Sequence, residues 1–466
     1  MSQFVRGIWP SSRADVVPQV VCVTEKVANF VGKNRAVCAG FVSTAMQVFF
    51  LLLLGLCGFV ALASKSKDEL IFVQVVWRHG DRAPSSTFPR NPNTAKSWPL
   101  GFGQLTSQGM DQTVELGKVL RELYIDIEDP LISPYPVGGE YRIQSTEVDR
   151  TMASAAGVIT GLFPKNDGRA ARSFLAPVFA TSLNTDADLN IFFNCPRAEE
   201  LKAASFAKFT QLVNEHEWFF NLLENETGKR YNLSTIYEVH DNYLCDTYNN
   251  LKPAKWLVPS VLEVLDMLTA KQVDAILALP LDEDDFREFT RLRGGRILQT
   301  IVKNFAKRIK CDEDFEDKNC AKVRKLKFLG LSMHDVTIAH LMTALTRDLP
   351  SIVPGNLVYY TGSFSFELWK RNGKFSLRIL YRKGPEGSTY KPVTNQISKL
   401  GSQFWDFEKF LTRVTPFMPT NFTNACQLKK AVNRGKRDYQ PGPPLSEMRF
   451  PAWDVAMKTR ELDDEE

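Results

Sequence analysis

IFVQVVWRHGDRAP, residues 71–84, joins seven residues of nearly unbroken strand-type sequence to a tight cluster of two arginines, a histidine and an aspartate. Apolar β-branched and aromatic residues with little polar alternation mark a strand covered on both faces, as in a parallel sheet flanked by helices. A charge run of this kind is usually a solvated loop. Against that, Arg-His-Gly-x-Arg-x-Pro arises by chance on the order of once in 10,000 chains of this length. In an open α/β sheet, ligands collect at the carboxyl ends of strands. Arg78, His79 and Arg82 stand at such an end.

The same grammar continues downstream. LTSQGMDQTVELGKVLRELY (105–124) places Leu116, Val119, Leu120 and Leu123 at helical spacing. EYRIQS followed by TEVDRTMASAAGVITGLF repeats the strand-then-helix order of βαβ units. From about 196 to 310 amphipathic helical patterns replace strands, which predicts a helical insertion. Strand sequence returns as KLKFLGLS (325–332), then as FSFELWKR and KFSLRILYR, a hairpin turned by Asn372 and Gly373. The predicted fold is α/β, a mostly parallel sheet with flanking helices plus an inserted helical domain. Its expected parts are residues 64–195 and 323–426 for the α/β domain, 196–322 for the insertion and 427–466 for a polar C-terminal tail.

The chain has 466 residues, 44% hydrophobic and 24% charged, which is ordinary globular composition. Its net charge of +5 comes without a long basic tract, so nucleic acid is not an expected partner. Residues 41–63 carry no charge and are long enough to span a hydrocarbon core. Basic residues at Arg6, Arg13, Lys26, Lys33 and Arg35 precede them, so a retained span would put residues 1–40 in the cytosol as a type II anchor. ALA at 61–63 is equally a cleavage signature, and a start at Met46 would leave a compact signal peptide, the favoured reading. Both readings place the rest of the chain outside the cytosol, secreted, lysosomal or membrane-anchored. Sequons at Asn225, Asn232 and Asn421 all follow the apolar segment. So do Cys195, Cys245, Cys311, Cys320 and Cys426, an odd number for an oxidising compartment.

Arginine forks match phosphate oxygens and stay charged at any working pH, so two of them around one histidine point to a phosphate pocket with a nucleophile inside. A second strand end, RIQSTEVDRT, supplies Arg150 in a helix's first turn, where positive charge opposes the macrodipole and asks for a reason. A third, FLGLSMHDVT, supplies His334 and Asp335. A second His-Asp pair, His240 and Asp241, follows no strand and reads as structural. His216 and His340 lie within helical patterns and read the same way. No histidine or carboxylate spacing suggests a metal or other cofactor.

In RHGDRAP, LTSQGMDQTVELG, STEVDRT, NCPR and HD, from about residue 70 to 430, the sequence resembles the histidine acid phosphatase family, particularly its animal prostatic and lysosomal members. The resemblance implies the histidine phosphatase (phosphoglycerate mutase-like) fold with a helical insertion. It implies phosphate monoesters as substrate, His79 as the nucleophile and Asp335 as proton donor. Arg78, Arg82, Arg150 and His334 then correspond to phosphate-binding residues. It also suggests a Cys195–Cys426 disulfide and a homodimer. The usual partner of Cys245 is missing, so Cys311 and Cys320 are expected to close the acidic loop between them, leaving Cys245 as the odd thiol. A phytase-like specificity and an inactive, ligand-binding ectodomain are the alternatives. Every matched catalytic position is filled, which speaks against the second.

Overall fold

The computed structural model describes residues 68–164, 176–385 and 388–428. The extension 1–40, the apolar segment 41–63 and the expected tail beyond residue 428 lie outside the described residues. Among the described residues no helix is long and apolar enough to cross a membrane.

The sheet has eight strands: β1 (Glu69–Arg78), β2 (Tyr141–Thr146), β3 (Val178–Thr181), β4 (Phe328–Met333), β5 (Ser363–Arg371), β6 (Lys374–Arg382), β7 (Lys391–Pro392) and β8 (Trp405–Asp406). Their order is β3-β2-β4-β1-β5-β6-β7, with β8 pairing β6. The strands β1 to β4 are mutually parallel, β5 lies antiparallel on the other edge of β1, and β6 turns back against β5. Five strands thus run one way, with β5, β7 and β8 opposed. The β5–β6 turn uses Asn372 and Gly373, both with positive φ (49° and 77°), the backbone that a two-residue type I′ hairpin requires.

Burial of β1 on both faces follows from its sequence. Val73, Val75 and Trp77 point into a cluster with Leu116, Leu120 and Tyr124 from the Ser107–Tyr124 helix and Val158 and Leu162 from the Asp149–Leu162 helix. On the alternate positions, Phe72 and Val76 enter a larger cluster with Ile297, Ile301, Phe305, Ile338 and Phe410. Each large side chain buried this way contributes about 1.5–3 kcal/mol. Gln74, the one polar side chain within the run, is fully buried but satisfied, donating to the Ile301 carbonyl at 2.9 Å and accepting from Asn304 at 2.8 Å.

Eight helices lie between β3 and β4, from Pro196–Ala207 to Cys320–Lys325, with no strand among them. One set has a core of its own around Phe219, Leu223, Tyr231, Ile236, Val239 and Leu265. The Gly295–Glu313 helix instead packs directly on the sheet, its Phe305 ring edge-on to Phe72 at 5.8 Å. Cys195 is bonded to Cys426 across 231 residues of chain, and Cys311 to Cys320 across the acidic loop. Cys245 is a buried free thiol.

Candidate functional site

Because β1, β2 and β4 are parallel neighbours, their carboxyl ends deliver three turns to one place. Arg78 is the last residue of β1 and Thr146 of β2, while His334 follows Met333, the last of β4. The backbone of the 78–82 turn is fixed on several sides. His79 N–H donates to the Met333 carbonyl at 3.1 Å, Thr361 N–H to the His79 carbonyl at 3.2 Å, and Gly80 N–H to Ser154 Oγ at 3.1 Å. A Cβ at Gly80 would sit 2.2 Å from the Gly109 carbonyl oxygen, so only glycine lets this turn lie on the start of the Ser107–Tyr124 helix.

The His79 Nδ1 atom lies 2.8 Å from the Gly80 carbonyl oxygen. A carbonyl can only accept, so Nδ1 carries the proton and Nε2 keeps its lone pair. Burial, then Arg78 and Arg82, hold the imidazole's pKa well below 6.5, so the ring stays neutral into the acidic range. Around it stand three buried or part-buried guanidiniums. Arg78 donates through Nη1 to the Val358 carbonyl at 2.8 Å, pairs through Nη2 with Asp335 at 2.9 Å, and lies 4.3 Å over the Tyr360 ring. Arg82 makes a two-pronged ion pair with Asp241, both contacts 3.0 Å. Arg150 donates through Nη2 to His334 Nδ1 at 3.3 Å, which leaves His334 Nε2–H to donate to Thr146 Oγ1 at 3.2 Å. That answers the question raised by a cation in a helix's first turn: Arg150 is aimed at the cluster rather than at the helix dipole. The Nε atoms of Arg78, Arg82 and Arg150 are all buried without a protein partner.

His334 is 5.6 Å from His79, ring to ring, and burial followed by Arg150 lowers its pKa to about 4. Asp335 opens the Asp335–Thr343 helix and accepts from Val336 N–H at 2.7 Å. Burial pulls its pKa up, but Arg78 and Arg82 outweigh burial and hold the carboxyl below its usual range. The cluster therefore combines excess positive charge, unspent N–H donors, one imidazole lone pair and one carboxyl. Such a set can bind a tetrahedral oxyanion and exchange its substituents.

All six residues expected to act together, Arg78, His79, Arg82, Arg150, His334 and Asp335, meet here. His240 pairs with Asp266 at 3.1 Å, His216 Nδ1 donates to its own helix at the Leu212 carbonyl, and His340 is buried against Phe289, so none of these three joins the cluster. The expectation that Asp241 is merely structural needs correction. The Tyr237–Tyr248 helix carries it back onto the 78–84 turn, where it neutralises Arg82 and accepts from Ser85 N–H at 3.2 Å. A strand-end rule cannot see a residue delivered by a distant helix. The usable signal was that a buried arginine needs a counter-charge, and that Asp241 shares a helical face with Cys245, whose Sγ lies 3.7 Å from Arg82. Tyr360 was also unforeseen. Asn225, Asn232 and Asn421 are exposed. Among the described residues no group of three or more His, Cys, Asp or Glu side chains could hold a metal ion.

Residues 69–252 and 180–382 match the model of the histidine phosphatase superfamily (branch 2). The chain belongs to that superfamily. Its curated relatives place it among the histidine acid phosphatases. Mouse prostatic acid phosphatase is 31% identical over 394 residues, 82% of this chain and 95% of the mouse protein. Rat lysosomal acid phosphatase is 29% identical over 385 residues, 81% of this chain and 84% of the rat protein. Among solved structures, the phytase from Citrobacter braakii superposes with a TM-score of 0.55 at 17% identity, over 78% of this chain and 100% of the phytase chain, a likeness of fold.

Proposed function

We propose that this protein hydrolyses phosphate monoesters through a covalent phosphohistidine on His79. The observation that carries the reading is the neutral His79 ring, its Nε2 lone pair set among three guanidiniums whose Nε donors are unspent. In the first step the Nε2–phosphorus bond forms as the ester P–O bond breaks, and Asp335 gives its proton to the leaving oxygen. In the second, Asp335 takes a proton from water as that water attacks phosphorus, and inorganic phosphate leaves with the His79 lone pair restored. Arg78, Arg82, Arg150 and His334 bind the non-bridging oxygens and stabilise their charge in both transition states.

Asp335 needs a proton for the first step, although its contact with Arg78 keeps it ionised in the free protein. An incoming phosphate competes for Arg78 and brings negative charge close to the carboxyl, and both effects raise its pKa. Mildly acidic solution then favours the productive form. The two disulfides, the exposed sequons and the lysosomal relative support an extracytoplasmic location.

The test is p-nitrophenyl phosphate hydrolysis from pH 3 to 8 in EDTA. The expected result is acid-side turnover that falls at least about a thousandfold in His79→Ala. Equal turnover in a folded His79→Ala protein would remove the assignment.

A further inference from the structure

The turn that leads into β5 carries a residue its backbone disfavours. Gly362 N–H donates to the Tyr359 carbonyl at 2.8 Å, closing a turn over residues 359–362. Its third residue, Thr361, has a φ of 52° while Tyr360 keeps negative φ, the type II pattern that ordinarily places Gly or Asn third. Among the described residues Thr361 is the one β-branched side chain with positive φ. Left-handed backbone crowds such a side chain, so it persists only where neighbours hold it, and such residues gather at functional sites.

The holding group is Arg382. It is the last residue of β6, directly opposite Ser363 at the start of β5, and it is fully buried. Its Nη1 donates to both the carbonyl and the hydroxyl of Thr361, at 3.2 and 3.3 Å. Its Nε and Nη2 donate to the Ser388 and Pro385 carbonyls at 3.0 and 3.3 Å. On its other side the turn meets the cluster. Thr361 N–H donates to the His79 carbonyl at 3.2 Å, Arg78 N–H donates to the Gly362 carbonyl at 3.0 Å, and the Tyr360 ring lies 5.9 Å from that of His79. Since His79 N–H is taken by the Met333 carbonyl, both backbone polar groups of His79 are engaged.

We infer that Thr361 and Arg382 are positioning residues for His79: Arg382 clamps Thr361 in left-handed backbone, and that backbone aims the N–H that fixes the His79 carbonyl and, through it, the imidazole. The inference rests on the phosphohistidine reading above and deepens it. Were Thr361 to relax to negative φ, its N–H would swing off the His79 carbonyl. A displacement of about 1 Å at a reacting group costs on the order of 100-fold in rate. Phosphate binding is less exposed to that change, because Arg78 keeps its hold on Asp335 and Arg82 its hold on Asp241.

The test compares wild type with Thr361→Val, Thr361→Gly, Arg382→Lys and the double variant carrying Arg382→Lys and Thr361→Gly. Single-turnover phosphorylation of His79, the inhibition constant of inorganic phosphate and nitrogen NMR of the histidine rings are measured on each. Valine keeps the volume of threonine but removes the oxygen that Arg382 holds, whereas glycine removes the side chain and adopts left-handed backbone freely. A role in packing alone makes glycine the worse substitution, and the clamp makes valine the worse. Expected is a transfer rate at least about tenfold lower in Thr361→Val and in Arg382→Lys, with phosphate inhibition constants within about threefold of wild type. Thr361→Gly should stay within about threefold of the wild-type rate and should restore it in the double variant. His79 should show a single Nδ1–H tautomer in wild type and Thr361→Gly, and a mixture in Thr361→Val. Slower transfer in Thr361→Gly than in Thr361→Val, or losses that add in the double variant, overturns the inference. Should Arg382→Lys fail to fold, the Thr361 pair decides by itself. The tautomers report on the clamp independently of turnover. Their contrast without any phosphohistidine in wild type would sink the catalytic reading alone, and phosphohistidine formed at equal rates in every variant would sink the clamp alone.

Discussion

The division of labour among the arginines is set by what each guanidinium already touches. Arg82 is tied at both Nη atoms to Asp241, so its orientation toward a phosphate depends on a carboxylate from a different part of the chain. Asp241→Ala leaves a buried cation unpaired, an effect of about 3–5 kcal/mol on stability. Asp241→Asn keeps the shape while losing the charge, and should raise the inhibition constant of inorganic phosphate about tenfold with a smaller loss of Tm. An inhibition constant within twofold of wild type would show that Arg82 needs no such holding. Asp335 has a different signature. In Asp335→Asn, hydrolysis of alkyl phosphates should fall about 100-fold or more, since proton donation to a poor leaving group is worth that much. Turnover of p-nitrophenyl phosphate, whose phenolate leaves unaided, should fall far less. Parallel losses on both substrates would reassign Asp335 to binding.

At the scale of elements, the legible parts were those whose local pattern and tertiary role agree. The apolar run of β1 and its abrupt charged end announced both a buried strand and the cluster, because the residues that fill the core and those that form the cluster are contiguous in sequence. Arg150 and His334 were readable for the same reason, each standing just past a strand. Asp241 and Tyr360 were not, since the Tyr237–Tyr248 helix and the segment before β5 reach the site only through tertiary packing. β3 was missed as well. It is four residues long and mostly exposed, so it lacks the buried alternation that marks a strand. The Tyr237–Tyr248 helix carries a further consequence. Burial, then the Asp241 charge, push the Cys245 thiol up, so it is neutral and shielded despite its neighbour Arg82. Native protein should leave Cys245 unmodified by iodoacetamide at pH 8, and unfolding without reductant should expose it, as peptide mapping would show. Rapid alkylation of Cys245 in the native state would contradict the packing of this helix on the 78–84 turn.

For the molecule as a whole, activity in acid must coexist with stability there, and buried histidines work against it. Burial, then Arg293 and Lys202, lower the pKa of His340 to about 3. The unfolded chain binds a proton at this residue near pH 6.5 while the folded one does not. The stability tied to neutral His340 is therefore present above about pH 6.5 and lost as pH falls toward 3, at roughly 1.4 kcal/mol per unit within that window. His334 pulls in the same direction, with its pKa at about 4. His340→Leu should accordingly lose less Tm than wild type between pH 6.5 and 4, and parallel Tm curves would contradict this. The Cys195–Cys426 bond offsets such losses by closing a 231-residue span, worth about 5 kcal/mol on a chain-entropy account. The central proposal is the phosphohistidine on His79, and its most direct test is to trap that species. Rapid mixing with a phosphate monoester, alkaline quenching and peptide mass spectrometry should find one phosphoryl group, stable to base and labile to acid, on the peptide containing His79. Turnover with no label on that peptide, or label on another residue, would contradict the account.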